Sequence, residues 1–192
     1  MLASEVISEV MKDFEFYLDD GGVTLTGGEP LLQEKFSISI LSGCKRQGLS
    51  TAIETAGNVP WFQMKGVLEH TDFILYDLKH INSEKHKELT GSGNELILDN
   101  LFRADRLGKK IFIRYPFIPC FNEDEKDLPK LFDVLRKLSN LEGIEVLPYH
   151  KLGVNKYSVL DREYMLKETD PPGIEKILNI KRAFQNAGFR VF

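Results

Sequence analysis

A glycine-rich loop with one acid at its mouth is the feature of this sequence that most strongly suggests chemistry. Residues 21–30 read GGVTLTGGEP, a short β-branched run that leads into Gly27, Gly28 and Glu29. Glycines let a ligand approach the main chain and expose its N–H and C=O groups to polar contact. The acid can pair with a cationic or amine group of such a ligand. On its own, this pattern fits an ordinary tight turn as well as it fits a ligand site.

Four later predicted strands also end in polar side chains. In chain order these are Glu54 and Thr55, then Asp77 and Lys79, then Arg114, and finally His150. Each has an ordinary structural explanation, such as a solvated ion pair or a satisfied core histidine. Together, the acids, cations, imidazole and glycine amides suit a zwitterionic ligand that carries a sugar and a base. Neither a Ser-His-Asp nor a Cys-His arrangement with supporting motifs accompanies them.

Strand-like and helix-like segments alternate along the chain, as in βα units with parallel strands and right-handed crossovers. The predicted strands are Val23–Thr26, Ser50–Glu54, Phe73–Leu78, Lys110–Tyr115, Ile144–Leu147 and Arg190–Phe192. The predicted helices are Ser4–Leu18, Leu31–Gln47, Pro60–Glu69, Ser83–Leu89, Leu96–Leu107, Leu128–Leu138 and Ile174–Asn186. The long polar segment between the last two predicted helices, Lys151–Gly173, is predicted to be a functional loop.

The pattern predicts an α/β fold, a partial (β/α) TIM-like barrel of parallel strands in a single domain over residues 1–192. Active sites of such barrels lie at the carboxyl ends of the strands, which is where the polar residues fall. Strands such as Phe73–Leu78 lack polar alternation, which predicts burial on both faces. The predicted order opens on a helix, so we expect that a first strand precedes Met1.

Net charge and cysteine content limit the kinds of partner and the cellular setting that fit this chain. The 25 basic and 29 acidic residues give a net charge of −4, which indicates neither a nucleic-acid surface nor a membrane surface. Cys44 and Cys120 are far apart and form no CxxC pattern, which suits a reducing cytoplasm. We expect Cys44 to pack on its helix and Cys120 to be a free thiol. Phe14, Phe16 and Tyr17 are expected in the core.

Five segments carry a resemblance to a known family. They read GVTLTGGEPLLQ at 22–33, ETAG at 54–57, YDLK at 76–79, IRY at 113–115 and LPYHKLGVNKY at 147–157. In these the chain resembles the glycyl-radical-enzyme activating enzymes of the radical S-adenosylmethionine (SAM) superfamily, of the pyruvate formate-lyase activating type. The resemblance runs along essentially the whole chain.

The resemblance implies roles for the residues of the glycine-rich loop and of the later strand ends. Gly27, Gly28 and Glu29 would hold the methionine amine end of SAM. His150 matches a histidine near the nucleoside, and Arg114 matches an arginine at the rim.

The resemblance also implies roles for the residues at the ends of the second and third predicted strands. Glu54 matches an acid, often aspartate in relatives, near the ribose or a cation site. Asp77 and Lys79 match the pair beside it. Some relatives hold a monovalent cation near the positions of Glu54, Thr55 and Asp77.

One departure from the family concerns its iron–sulfur cluster. The family builds a 4Fe-4S cluster from a Cys-x3-Cys-x2-Cys loop after its first strand, with thiolates as ligands. This chain has no such loop, and neither Cys44 nor Cys120 matches it. We therefore expect the cluster ligands upstream of Met1, in an N-terminally truncated chain that is inactive by itself and contains no catalytic residue of its own.

The activity implied by the resemblance is that of an oxidoreductase in the intact enzyme. A reduced cluster would donate an electron to SAM, and a 5′-deoxyadenosyl radical would abstract hydrogen from a glycine of a partner enzyme. The implied partners are a glycyl radical enzyme, such as a pyruvate formate-lyase-like protein, and an electron donor such as flavodoxin or ferredoxin. Two alternatives stay open: a barrel lyase or aldolase with Lys79 as Schiff-base nucleophile, and a non-catalytic partner-binding module that uses the loop at 151–173.

Overall fold

Five parallel strands form the sheet. The computed structural model describes residues 1–17, 21–123, 125–153, 161 and 164–192. The strands are β1 (Gly22–Leu25), β2 (Ser50–Thr55), β3 (Phe73–Asp77), β4 (Lys110–Phe117) and β5 (Leu141–Pro148). Their order in the sheet follows their order in the chain, and each neighbouring pair is parallel. The predicted α/β partial barrel is thus confirmed.

Helices connect the strands, as the parallel pairing requires. They are α1 (Ala3–Val10), α2 (Phe14–Tyr17), α3 (Glu34–Arg46), α4 (Trp61–Leu68), α5 (Ser83–Thr90), α6 (Glu95–Arg106), α7 (Leu128–Leu135) and α8 (Ile174–Asn186). Short 3₁₀ turns occupy Met11–Asp13, Pro30–Gln33, Glu125–Asp127 and Lys151–Gly153. Among the helices described, none is both long and apolar enough to cross a bilayer.

The two faces of the sheet differ in burial. On β3, Ile74 and Tyr76 are fully buried, whereas Leu75 between them is half-buried. The buried face packs against the helices, as the hydrogen bond from the Tyr76 hydroxyl to the carbonyl of Ile97 in α6 shows (2.7 Å). Burial of β3 on both faces, the prediction from its apolar run, is wrong, since Phe73, Leu75 and Asp77 on the other face are only half-buried.

The N-terminal segment departs from its prediction. The expected continuous helix is divided into α1, a 3₁₀ turn and α2, and its expected last residue lies outside the described residues. Phe14 is 46% exposed and Phe16 is 82% exposed, so their expected place in the core is wrong. Tyr17 packs against the cluster that contains fully buried Cys44, as expected for both. A 3₁₀ turn at Met11–Asp13 separates the two helices.

Two prolines belong to strands of the sheet. Pro116 pairs with Leu147, and Pro148 is the last residue of β5. A proline lacks an N–H donor, but its carbonyl still accepts, and the Pro116 carbonyl accepts from the side chain of Asn122. The predicted last strand is reduced to a single parallel bridge between Val191 and Ile144.

Candidate functional site

Glu29 ties the glycine-rich loop to the end of β2. One carboxylate oxygen accepts hydrogen bonds from the Thr55 hydroxyl (2.8 Å) and the Leu31 N–H (3.2 Å). The other accepts from the N–H of Ala56 at 3.1 Å. The carboxylate thereby caps the 3₁₀ turn after it and joins two strand ends that lie far apart in the sequence. Glu29 is therefore a structural link as well as a candidate ligand.

The two glycines before Glu29 leave their backbone open. Both are exposed, and a Cβ built on either one meets no atom within 4 Å. Gly27 has φ = 128°, a conformation that L side chains rarely adopt. A ligand can thus reach the main-chain groups of this loop directly from solvent.

Arg114 lies at the centre of an ionic network on the inner face of the sheet. Strand register places Asp77 and Glu145 on either side of it. Its guanidinium forms a close ion pair with Glu54. It also lies 3.7 Å from an Asp77 oxygen and 3.4 Å from a Glu145 oxygen. Lys79 lies 3.3 Å from the other Asp77 oxygen. Because three carboxylates outnumber two cations, this surface favours a positively charged ligand.

Burial and charge act in opposite directions on Arg114. Its side chain is 18% exposed, and burial lowers the pKa of its guanidinium. The hydrogen bond with Glu54 and the charges of Asp77 and Glu145 outweigh that effect and raise the pKa. The Oδ1 atom of Asp77 is buried without a hydrogen-bond donor. Such an atom is a place where a polar ligand group can bind.

Lys79 and His150 share a cleft next to this network. The cleft has a volume of about 560 Å³. Its other lining residues are mostly apolar and include Ile118, Leu147 and Tyr149. His150 is exposed in it, directly after β5. An apolar cleft of this size with a few polar groups is typical of small-molecule sites.

The structure thus brings the residues predicted from strand ends to one edge of the sheet, with one difference in position. Arg114 lies three residues before the end of β4, because this strand continues to Phe117. Sequence reasoning missed Glu145, which lies mid-strand between buried Ile144 and Val146. The apolar–polar alternation of β5 is the signal that could have found it.

The residues expected to hold a monovalent cation are arranged for other contacts. The Thr55 hydroxyl donates to Glu29 and accepts from the N–H of Gly57 at 2.9 Å. Glu54 pairs with Arg114, and Asp77 pairs with Lys79. Within the described part of the chain, no group of three or more His, Cys, Asp or Glu side chains is placed to hold a metal ion. The monovalent cation site at Glu54, Thr55 and Asp77 therefore stays a prediction.

The cysteines do not fit a 4Fe-4S cluster. Cys44 is fully buried on α3, and burial raises the pKa of its thiol. Cys120 is exposed in the loop after β4. Three thiolates are needed for the ligation expected of this family, and the sequence has two cysteines.

A buried histidine follows directly after Lys79. His80 is 2% exposed, and its Nδ1 accepts from the N–H of Asn82 at 2.9 Å. Its Nε2 lies 3.7 Å from an Asp127 oxygen, which also accepts from Lys85 at 2.7 Å. Burial lowers the pKa of His80 below its usual 6.5, although the charge of Asp127 acts in the opposite direction.

We expect His80 to make the fold sensitive to mild acid. A histidine whose folded-state pKa is depressed contributes stability above its unfolded pKa and loses it as the pH falls through the folded value. The free energy of unfolding should therefore decline from about pH 6.5 downward. In His80→Asn, which keeps an acceptor for Asn82, urea melts between about pH 5 and 7 should show a shallower decline. An identical pH slope in both proteins would contradict this assignment.

Comparisons with known proteins identify the family. The family model of the radical SAM superfamily matches residues 2–132. The chain is 38% identical to a pyruvate formate-lyase-activating enzyme of Clostridium pasteurianum, over 92% of this chain and 74% of that protein. It is 42% identical to a choline trimethylamine-lyase activating enzyme of Oleidesulfovibrio alaskensis, over 85% of this chain but 54% of that protein. The chain thus spans about half the length of the second relative.

Solved structures agree with the sequence matches. A domain of a pyruvate-formate lyase-activating enzyme from Bacteroides vulgatus superposes with a TM-score of 0.73 at 30% identity, over 89% of this chain and 97% of that one. A radical SAM methyltransferase from Sphaerobacter thermophilus superposes with a TM-score of 0.73 at 14% identity, over 100% of this chain and 57% of that one, which shows the fold alone. By its family match, its relatives and its partial barrel, the chain belongs to the radical SAM superfamily, among the activating enzymes of glycyl radical enzymes.

Proposed function

We propose that this chain forms the SAM-binding edge of an enzyme that installs a glycyl radical on a partner enzyme. The observation that carries the proposal is the acid-rich network around Arg114, which lies at the carboxyl edge of a chain from this family. A sulfonium cation and an α-amino group are the charges of SAM that such a surface attracts. The partner is proposed to be a glycyl radical enzyme, such as a pyruvate formate-lyase-like protein, because the relatives are activating enzymes.

The residues present fit SAM. The exposed backbone of Gly27 and Gly28 offers groups for the methionine amine and carboxylate, and Glu29 holds that loop in place. The Oδ1 of Asp77, which has no hydrogen-bond donor, offers an acceptor beside the ion pair with Lys79. On this proposal Glu54 is the further acid near the ribose.

The apolar cleft suits the nucleoside end of the ligand. His150 and Lys79 line it together with buried Tyr149. Bound SAM would supply the chemistry: one electron would cleave its sulfonium S–C5′ bond, methionine would leave, and the 5′-deoxyadenosyl radical would take a hydrogen atom from the target glycine. The role of this chain's own residues is to bind and orient the cofactor and to exclude water with the apolar wall of the cleft.

The electron must come from groups that this chain does not hold. We propose that the cluster ligands lie outside these residues and that a flavodoxin or ferredoxin supplies the electron. Both cysteines are free thiols, which agrees with the reducing cytoplasmic setting that we propose for the enzyme.

We expect anaerobic reconstitution of this chain with iron and sulfide to give no stoichiometric 4Fe-4S cluster. Two cysteines on different elements, one of them buried, cannot supply three converging thiolates. Iron and sulfide analysis with the visible absorption of the desalted protein provides the measurement, and the Cys120→Ser variant provides the control. A full cluster that depends on Cys120 would refute the expectation.

The SAM proposal is tested by titrating the labelled chain with SAM and following its amide NMR shifts. We expect shifts at Gly27, Gly28, Asp77 and Lys79, with a millimolar dissociation constant because the cluster that chelates methionine in the family has no ligands here. S-adenosylhomocysteine, which lacks the sulfonium charge, should bind more weakly. Shifts confined to other surfaces, or equal affinities for the two compounds, would overturn the proposed role of the acid-rich network.

The two alternatives have less support. The amine of Lys79 is engaged in an ion pair with Asp77, which counts against its use as a Schiff-base nucleophile. Borohydride treatment with a small aldehyde is expected to leave Lys79 unmodified. Part of the loop of the partner-binding alternative, residues 154–160, 162 and 163, lies outside the described residues.

A further inference from the structure

Three buried asparagines at the carboxyl edge share one bonding pattern. Each uses its side-chain amide to donate to two backbone carbonyls at or just beyond the carboxyl ends of the strands. They are Asn94, Asn100 and Asn122, which are 3%, 0% and 3% exposed. Buried asparagines are uncommon because each must satisfy several polar atoms. Three of them at one edge therefore require an explanation.

Asn100, on α6, holds the loop after β2. It donates to the carbonyls of Gly57 and Val59, both at 2.8 Å. The same loop contains Ala56, whose N–H binds Glu29, and Gly57, whose N–H binds the Thr55 hydroxyl. The position of the Glu29 carboxylate therefore depends on a helix that is more than forty residues away in the chain.

Asn122 bridges the ends of β3 and β4. It donates to the carbonyl of Lys79 (3.1 Å) and to that of Pro116, and it accepts from the N–H of Ile118 at 2.7 Å. The ladder between these strands ends at Asp77 and Arg114. Beyond that point, backbone carbonyls have no partner in the neighbouring strand, and the asparagine amide supplies the donors.

Asn94 is the third asparagine, and it holds the backbone that directly follows Lys79. It lies one residue before α6 and donates to the carbonyls of His80 (2.9 Å) and Ile81 (2.8 Å). Asn94, just before α6, and Asn100, within it, thus supply donors for the loops after β3 and β2. The amino edge of the sheet is built differently, since there Asp105 accepts from the backbone of Ser139 and Asn140.

We propose that Asn94, Asn100 and Asn122 are positioning residues that set the separation of the strand ends in the SAM site. The inference rests on the proposed function for its ligand, and on the hydrogen bonds above for its geometry. Asn100 positions Glu29 and Thr55 through the loop at 56–59. Asn122 holds the backbone of Lys79 against β4, and Asn94 holds the backbone that follows Lys79. None of the three needs to touch the ligand.

Residue-resolved hydrogen exchange of the full chain tests the geometry without any ligand. Asn100→Ala should speed exchange at Ala56 and Gly57 at least tenfold and leave Leu78 within about twofold after correction for global stability. Asn122→Ala should instead speed exchange at Leu78 at least tenfold and leave Ala56 and Gly57 within about twofold. Leu78 is the reporter because its N–H donates to the carbonyl of Arg114 where the β3–β4 ladder ends. Where an alanine variant fails to fold, serine, which retains one donor, replaces it. If both variants speed amide exchange equally at Ala56, Gly57 and Leu78, the proposal is overturned.

Asn140→Ala is the matched control. Its side chain also donates twice, to the backbone and carboxylate of Asp105, but at the amino edge. Titration with SAM should show at least fivefold weaker binding in Asn100→Ala and a change within about twofold in Asn140→Ala. Equal losses in the two variants would overturn the positioning role. If the unmodified chain binds no SAM, the proposed function fails, and the exchange pattern still decides the loop assignment.

Discussion

Glu29→Ala is expected to lower the free energy of unfolding by about 2–4 kcal/mol, because one charged carboxylate satisfies three donors. The N–H groups of Leu31 and Ala56 and the hydroxyl of Thr55 would all lose their acceptor. Urea denaturation measures the change. Thr55→Val, which removes one of the three donors and also the acceptor of the Gly57 N–H, should cost about 1–2 kcal/mol.

Glu88→Ala is the control for this prediction, since Glu88 is exposed on α5 and should change stability by less than about 0.5 kcal/mol. In a protein that carries the complete SAM site, Glu29→Ala should also weaken SAM binding by about 1–3 kcal/mol, the cost of one charged hydrogen-bond partner. An unfolding midpoint equal to that of the unmodified chain would show that the loop does not depend on this carboxylate.

Arg114→Met is expected to destabilise the chain by about 2–3 kcal/mol, less than for a fully buried pair because the carboxylates are partly exposed. The substitution keeps an apolar stem but leaves Glu54, Asp77 and Glu145 facing one another without the guanidinium. Added salt should reduce the loss, since it screens like charges. Urea melts at low and high ionic strength provide the measurement.

Two further variants separate charge from packing in this network. Glu54→Gln combined with Arg114→Met should recover part of the lost stability, which a double-mutant cycle quantifies. Arg136→Met breaks an exposed pair with Asp133 and should cost less than about 1 kcal/mol. If the Arg114 and Arg136 substitutions lower the free energy of unfolding by the same amount, the network around Arg114 contributes no more to stability than an exposed ion pair.

The sequence by itself determined the order of the elements and the edge on which the polar residues meet. Alternating apolar periods predict five strands near their observed positions, and parallel pairing then brings Gly27, Glu54, Asp77 and His150 to one edge. The motifs around these residues also indicated the family. These properties depend on local periodicity and chain direction, which can be read from neighbouring residues.

Only the tertiary structure decided which partner each side chain has. Glu29 binds Thr55 and Ala56 in a different strand end, and Asn100 reaches Gly57 from α6. Glu145 joins the network because register places it beside Arg114. Such contacts depend on strand register and on where each helix packs, and a pattern within a few residues encodes neither. The same limit applies to the N-terminal helix, whose period is continuous in sequence but which the structure divides at Met11–Asp13.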